Sequence, residues 1–217
     1  MYKTVVFDLD GTLLNTLTDL ADAGNRLCRK YSWPTHERQA YRYFVGNGIP
    51  KLVERLAPAD QRTPAVLEAA LADFKRDYGQ HLRDTTAPYP GIPEMLAKLK
   101  ANGVQLAVFS NKADALAKEV VKDYFGTQYF TIVRGQMTGV APKPAAEGTN
   151  ALLQALHADP ASTLYVGDSN VDVETAHNAN LPCCGAVWGF RTREELNAAG
   201  AEYLAENSDE LYDVIMK

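Results

Sequence analysis

Cysteine is scarce in this sequence of 217 residues, which contains only Cys28, Cys183 and Cys184. Their odd number and their spacing fit neither a disulfide framework nor a metal-binding cysteine motif. Free cysteines are typical of a reducing compartment, so we expect a cytoplasmic protein. The adjacent pair lies in an apolar run. This setting favours a buried strand over a redox site, because buried cysteine mostly behaves as a small hydrophobic residue.

Excess positive charge and long apolar runs are also missing. The formal net charge is -5, which argues against a broad face for nucleic-acid backbones. No apolar run reaches the roughly 18 residues that a membrane helix needs. Met1-Tyr2-Lys3 leads at once into a predicted strand rather than into a signal peptide. We therefore expect a soluble monomer or homodimer that has no nucleic acid and no membrane as a partner.

What the sequence does contain is a pair of carboxylates directly after a run of strand-forming residues. Asp8 and Asp10 follow Val5-Val6-Phe7, and Gly11 and Thr12 come next. Residues two apart in a strand point the same way, so both carboxylates face one place. Their repulsion costs folding free energy unless a cation or a shared proton relieves it. A plain Asp-Gly turn remains the alternative for this stretch alone.

The order of predicted elements divides the chain into two parts. Residues 16–84 show only helical spacing of apolar residues, whereas strands and helices alternate from Tyr89-Pro90-Gly91 onward. Alternating helices and apolar strands predict a parallel sheet that is covered on both faces. We therefore predict an α/β core made of residues 1–15 and 85–217. The helical part, residues 16–84, is predicted to be an insertion after the first strand.

Three further polar clusters follow predicted strands or begin predicted helices. A strand from Val104 to Ser110 leads into Asn111-Lys112, and Lys143 opens a helix. Gly167-Asp168-Ser169 precedes a helix that holds Asp172. Each has a plain alternative as a cap, a loop residue or a turn. Ligands of such sheets bind beyond the carboxyl ends of the strands. Because the clusters are predicted at the same edge of the sheet, they favour a single functional site there.

The residue types at this edge suit a phosphoryl group. Asp8, Asp10 and Asp168 offer hard oxygen ligands that suit Mg²⁺, while Ser110 and Lys143 offer a hydroxyl and a compact positive charge for phosphate oxygens. An ionised carboxylate can attack phosphorus and form an aspartyl-phosphate. A second carboxylate can protonate the leaving oxygen and later deprotonate water. The pattern therefore indicates phosphoryl transfer to water.

Together these motifs resemble the four ordered motifs of the haloacid dehalogenase-like hydrolase superfamily. The matching stretches are Asp8 to Thr12, Ser110, Lys143-Pro144, and Gly167 to Asp172. The resemblance implies an α/β fold with a Rossmann-like three-layer core, a parallel sheet, and a small α-helical cap domain inserted after the first strand. Dehalogenases of this superfamily lack an acid at the position of Asp10, so the resemblance implies phosphate chemistry.

The resemblance also implies a role for each residue. Asp8 is the nucleophile and Asp10 the acid/base, and Lys143 steadies Asp8 and the phosphate. Mg²⁺ is held by Asp8, the backbone carbonyl of Asp10, and Asp168. Asp172 and Ser169 support the site, with Asp172 holding the lysine or a water of the metal. The residues implied to bind the phosphoryl group are Gly11, Thr12, Ser110, Asn111 and Lys143.

A narrower resemblance, to phosphoglycolate phosphatases, is carried by Asp19 to Leu27, Val45 to Gly48 and Phe109 to Lys112. It implies a small phosphorylated substrate, with 2-phosphoglycolate expected. Gly46, Asn47 and Lys51 are then expected to face the substrate, although a plain helix-helix turn is the alternative. The remaining alternatives are a broad sugar-phosphate phosphatase, a pyrophosphatase, a phosphomutase and a non-catalytic phospholigand-binding protein.

Overall fold

The computed structural model describes every residue from Met1 to Lys217, and its central element is a six-stranded parallel sheet. The strands in chain order are β1 (Thr4–Phe7), β2 (Leu14–Asn15), β3 (Ala87–Pro88), β4 (Gln105–Ala113), β5 (Phe130–Gln136), β6 (Thr163–Gly167), β7 (Cys183–Ala186) and β8 (Tyr203–Ala205). The sheet has the order β5-β4-β1-β6-β7-β8, and β2 pairs with β3 separately. The prediction of an α/β fold with a parallel sheet is confirmed.

Ten α-helices complete the chain. They are α1 (Leu17–Lys30), α2 (Arg38–Phe44), α3 (Ile49–Leu56), α4 (Pro64–Gln80), α5 (Ile92–Ala101), α6 (Asp114–Phe125), α7 (Ala146–Leu156), α8 (Asn170–Asn178), α9 (Arg193–Ala198) and α10 (Ser208–Met216). All residues of β1 and β6 are buried, as expected for strands that are covered on both faces. None of the helices combines the length and apolar composition needed to cross a bilayer.

Two differences from the predicted elements concern the sheet. β4 continues through Ser110 and Asn111 to Ala113 instead of ending at Ser110, so these two residues lie in a strand and do not cap α6. The edge strand β8 was not predicted, because three residues of strand are too short to show an alternating pattern.

The chain divides into two compact units. The core unit contains Met1–Asn15 and Pro88–Lys217, and the helical unit contains Thr16–Ala87. The helical unit thus extends past residue 84, the predicted end of the insertion. The reason lies in Asp19, which is buried. Its two carboxylate oxygens accept hydrogen bonds from the backbone amides and hydroxyls of Thr85 and Thr86, at 2.5 to 2.9 Å.

We expect Asp19→Ala to destabilise the protein by about 3 kcal/mol, because it leaves buried amide and hydroxyl donors without their charged acceptor. Urea unfolding followed by circular dichroism measures the change. Asp22→Ala is the matched control, since Asp22 lies exposed on the same helix, and we expect a change within about 0.5 kcal/mol for it. Equal midpoints for the two variants would contradict this assignment.

Candidate active site

Lys143 lies at the centre of a buried ion-pair network in the core unit. Its Nζ is 2.6 Å from Oδ1 of Asp8 and 2.7 Å from Oδ1 of Asp172. The same ammonium donates to the hydroxyl of Tyr165 and to the carbonyl of Phe109, both at 3.3 Å. The side chain of Lys143 is only 2% exposed. The structure therefore brings together three residues predicted from separate motifs.

Three carboxylates converge beside this lysine. One oxygen from each of Asp8, Asp168 and Asp172 lies within 4.8 Å of the others, and all three residues are buried. Hard carboxylate oxygens at this spacing suit a divalent cation such as Mg²⁺. Asp10 adds no carboxylate oxygen to the cluster, so its predicted part in metal binding rests on its backbone carbonyl alone.

The electrostatics of the cluster favour an added positive charge. Burial, helped by the charge of Asp172, raises the pKa of Asp8 to about 7 against the lowering effect of Lys143. Burial and the charges of Asp172 and Asp8 hold the pKa of Asp168 well above its usual range. Burial disfavours the charge on Lys143, but Asp172 and Asp8 outweigh it and hold its pKa well above the ordinary value. The donor set therefore fits a bound cation.

Two short segments hold the carboxylate of Asp168. The hydroxyl of Thr12 donates to Oδ1 at 3.3 Å, and the backbone amide of Phe190 donates to Oδ2 at 2.6 Å. Gly11 has a φ of 96°, and a Cβ there would lie 2.3 Å from Oδ2 of Asp168. A Cβ at Gly189 would lie 2.2 Å from the Cβ of Asp168. Both glycines therefore permit a close approach to Asp168.

Asp172 and Ser169 form the N-terminal cap of α8. Oδ2 of Asp172 accepts hydrogen bonds from the backbone amide of Ser169 at 3.1 Å and from its hydroxyl at 2.6 Å. The other oxygen, Oδ1, is the one that pairs with Lys143. The plain alternative for Asp172, an acid at a helix start, therefore describes only one of its two oxygens.

The side chain of Asn111 holds the backbone of Lys143. Oδ1 of Asn111 accepts a hydrogen bond from the amide of Lys143 at 2.8 Å, and Nδ2 donates to the carbonyl of Lys143 at 3.2 Å. The sequence analysis predicted that Asn111 binds phosphate, and it did not predict these hydrogen bonds to the backbone of Lys143. Ser110, which is buried, accepts a hydrogen bond from the amide of Lys112. Asn111 thus positions Lys143, in addition to any contact with substrate.

Asp10 has a buried ammonium partner, Lys112, which the sequence analysis placed in the same polar cluster as Ser110 and to which it assigned no role. Nζ of Lys112 lies 3.1 Å from Oδ1 of Asp10 and 3.4 Å from Oδ2. One signal was available in the sequence. Lys112 is two residues after Ser110, and side chains two apart in a strand share a face. Phe190 gave no signal of this kind, because an amide donor places no constraint on its side chain.

The remaining predicted residues, Gly46, Asn47 and Lys51, belong to the helical unit. Gly46 has a φ of 113°, in the region that favours glycine. Oδ1 of Asn47 accepts a hydrogen bond from Arg55 at 2.9 Å, and Arg55 also donates to the carbonyl of Phe44. Lys51 pairs with Glu54 at 2.8 Å. These contacts describe an ordered loop, and its role with substrate stays a prediction.

Comparison with known proteins agrees with this arrangement. The family model described as haloacid dehalogenase-like hydrolase matches residues 5–186. The phosphoglycolate phosphatase of Chromobacterium violaceum is 31% identical over 216 residues, covering 98% of this chain and 96% of that protein. That of Mesorhizobium japonicum is 31% identical over 191 residues, covering 87% and 84%.

Solved structures show the same likeness. A crystal structure from Lactobacillus delbrueckii subsp. bulgaricus has a TM-score of 0.93 at 28% identity, covering 99% of this chain and 98% of that one. A predicted phosphoglycolate phosphatase from Haemophilus somnus has a TM-score of 0.89 at 25% identity, covering 98% and 97%. The chain belongs to the haloacid dehalogenase-like hydrolase family. The predicted family and the predicted enzyme class, a phosphoric monoester hydrolase, are confirmed.

Proposed function

We propose that this protein is a Mg²⁺-dependent phosphatase that hydrolyses a small phosphomonoester through an aspartyl-phosphate on Asp8. The observation that carries the proposal is the buried carboxylate of Asp8, which lies 2.6 Å from the ammonium of Lys143 and belongs to a cluster of three acids. A carboxylate held in this way is oriented and lies beside positive charge, as a nucleophile for phosphorus must be.

The proposed reaction has two steps. First, a carboxylate oxygen of Asp8 forms a bond to phosphorus, the bond between phosphorus and the ester oxygen breaks, and Asp10 gives its proton to that leaving oxygen. Then water attacks the same phosphorus, Asp10 takes one proton from the water, and the bond from Asp8 to phosphorus breaks. Inorganic phosphate and an alcohol are the products, and both aspartates return to their starting state.

Lys143, the proposed phosphate pocket and the proposed metal ligands support these steps. The ammonium of Lys143 favours the charged form of Asp8 against the effect of burial, and it compensates the charge that gathers on the phosphoryl oxygens. Gly11, Thr12, Ser110 and Asn111 complete the proposed phosphate pocket. Asp8, the carbonyl of Asp10, and Asp168 are the proposed ligands of Mg²⁺, which when bound neutralises phosphoryl charge and relieves the repulsion among the carboxylates.

We propose 2-phosphoglycolate as the substrate, in a cytoplasmic enzyme that acts as a monomer or homodimer. Support comes from the relatives described above, which are named phosphoglycolate phosphatases and match nearly the full chain in one case. The ordered loop of Gly46, Asn47 and Arg55 is the proposed source of selectivity, together with Lys51. Arg55 and Lys51 would each offer positive charge to a small acidic substrate.

A phosphate-release assay tests the proposal. The purified protein is offered 2-phosphoglycolate, several sugar phosphates, pyrophosphate and p-nitrophenyl phosphate, each with Mg²⁺ and with EDTA. We expect the highest kcat/KM for 2-phosphoglycolate, and at least about a hundredfold loss of activity in EDTA because the carboxylate repulsion returns. Readdition of Mg²⁺ should restore the rate.

The other outcomes of the same panel separate the alternatives. A preference for pyrophosphate or for a sugar phosphate would contradict 2-phosphoglycolate as the substrate and leave the proposed aspartyl-phosphate mechanism unchanged. Movement of a phosphoryl group between positions on one sugar, without release of phosphate, would indicate a phosphomutase. Binding of phosphate esters without turnover of any of them would contradict the proposal and indicate a phospholigand-binding protein.

A further inference from the structure

We propose that Lys112 is a positioning residue for the acid/base Asp10, holding its carboxylate in place for both proton transfers. This inference rests on the proposed function. The contact is close to both oxygens of Asp10, at 3.1 and 3.4 Å from the Nζ of Lys112. The side chain of Lys112 is 2% exposed and that of Asp10 is 14% exposed. Asp10 is thus partly exposed to solvent, whereas the side chain of its partner Lys112 is buried.

The strand that carries Lys112 pairs irregularly with its neighbour at this point. From Phe109 to Ala113, β4 advances four positions while its neighbour β5 advances two, from Arg134 to Gln136. Such an irregularity re-aims side chains and often occurs beside active sites. A Cβ at Gly135 would lie 2.4 Å from the carbonyl oxygen of Lys112. Because Gly135 has no side chain, the backbone of Lys112 can lie this close to β5.

Stability gives no adequate reason for this buried pair. Removing two charges from water costs as much as their attraction returns in many proteins, so a buried ion pair is weak evidence of a stabilising role. The site also holds two separate buried ammonium groups. Lys143 lies against Asp8 and Asp172, whereas Lys112 lies against Asp10. Each of the two proposed catalytic carboxylates therefore has a lysine of its own.

In the proposed reaction, the ion pair of Lys112 and Asp10 has a function. When Asp10 has given its proton to the leaving oxygen, it carries a negative charge inside a largely buried site. The ammonium of Lys112 then compensates that charge and keeps the carboxylate aimed at the place where water must be deprotonated. Lys112 itself neither gives nor takes a proton. It therefore acts through Asp10, and its loss should matter only while Asp10 is present.

A double-mutant cycle tests this inference. Lys112→Met, Asp10→Asn and the double variant are assayed on the best substrate of the panel and on p-nitrophenyl phosphate, whose leaving group needs little help from an acid. We expect Lys112→Met to lower kcat by about 10- to 100-fold with KM changed less than about threefold. The double variant should lie within about twofold of Asp10→Asn alone. The loss in kcat/KM, which reports formation of the aspartyl-phosphate, should be smaller for p-nitrophenyl phosphate.

Three results would overturn the inference. The first is a multiplicative loss in the double variant, and the second is a raised KM with kcat unchanged, which would place Lys112 on the substrate. The third is an equal loss of kcat/KM on both substrates. Lys118→Met is the matched control, since Lys118 pairs with Asp114 at 2.7 Å but is 56% exposed, and we expect wild-type kinetics for it.

Folding and the proposed function are checked separately. Circular dichroism and thermal unfolding monitor every variant, and Lys112→Gln replaces Lys112→Met if the latter does not fold. Failure of both to fold would make the pair structural and overturn the inference. Inactivity of the wild-type protein on every ester would contradict the proposed function itself. An active wild type with an impaired Asp10→Asn leaves that function standing, whatever Lys112→Met shows.

Discussion

Asp8→Asn is expected to lower kcat by about 10⁴-fold or more, the scale at which loss of a covalent nucleophile acts in other enzymes. An amide is too weak a nucleophile to form the bond to phosphorus. The substitution keeps the size of the side chain, and Lys143 retains Asp172 as a partner at 2.7 Å. The loss should therefore fall on kcat, and circular dichroism should show a folded protein.

The same variant is expected to be more stable than the wild-type protein at pH 8 without metal. Burial raises the pKa of Asp8 from 3.8 to about 7. A carboxyl group with a raised pKa binds its proton more tightly in the folded state, so its contribution to stability is lost as the pH rises from 3.8 through about 7. The wild-type protein carries this cost at pH 8, whereas Asp8→Asn does not.

Thermal unfolding at pH 5 and pH 8, in EDTA and in Mg²⁺, measures both effects. We expect the variant to exceed the wild-type Tm at pH 8 in EDTA, and Mg²⁺ to raise the Tm of the wild-type protein more than that of the variant, because ligands stabilise the state that binds them. Asp213→Asn is the control, since Asp213 is exposed in the core unit. Turnover by Asp8→Asn would contradict the assignment of the nucleophile.

The sequence was sufficient for the parts of the site that depend on chemistry at strand ends. The buried run Val5-Val6-Phe7 predicted a central strand, and parallel strands place their carboxyl ends along one edge. Asp8, Lys143 and Asp172 therefore meet in the structure although they are far apart in sequence. They were recognisable before any coordinates because their clusters are all predicted at one edge of the sheet and match the ordered motifs of the haloacid dehalogenase-like hydrolases.

The contacts that escaped prediction lack such a signal. Phe190 contributes only a backbone amide to Asp168, and every residue other than proline has one. The signal for Lys112, its place two residues after Ser110, is weak because lysine is ordinarily a surface residue. The irregular pairing of β4 and β5 beside it cannot be read from the sequence. The limit of the helical unit depends on Asp19 and its hydrogen bonds to Thr85 and Thr86, which are long-range contacts.

Lys143→Met is the second large effect that we expect. It leaves Asp8 and Asp172 buried without their shared ammonium, and breaking a buried ion pair on one side costs about 3 to 5 kcal/mol. The three neighbouring carboxylates then repel one another more strongly. Turnover should fall by about 10³-fold, because the phosphoryl charge loses a positive group placed for it.

The pH dependence distinguishes this electrostatic account from a simple loss of packing. Without the ammonium the pKa of Asp8 should rise further above its present value of about 7, so protonation at pH 5 removes much of the repulsion. Urea unfolding should therefore show a larger loss of stability at pH 8 than at pH 5, and Mg²⁺ should restore part of it at pH 8. Lys118→Met, an exposed lysine, should change stability by less than about 0.5 kcal/mol at either pH. An equal cost at both pH values would mean that Lys143 fills space at the end of the sheet rather than balancing the charge of its carboxylates.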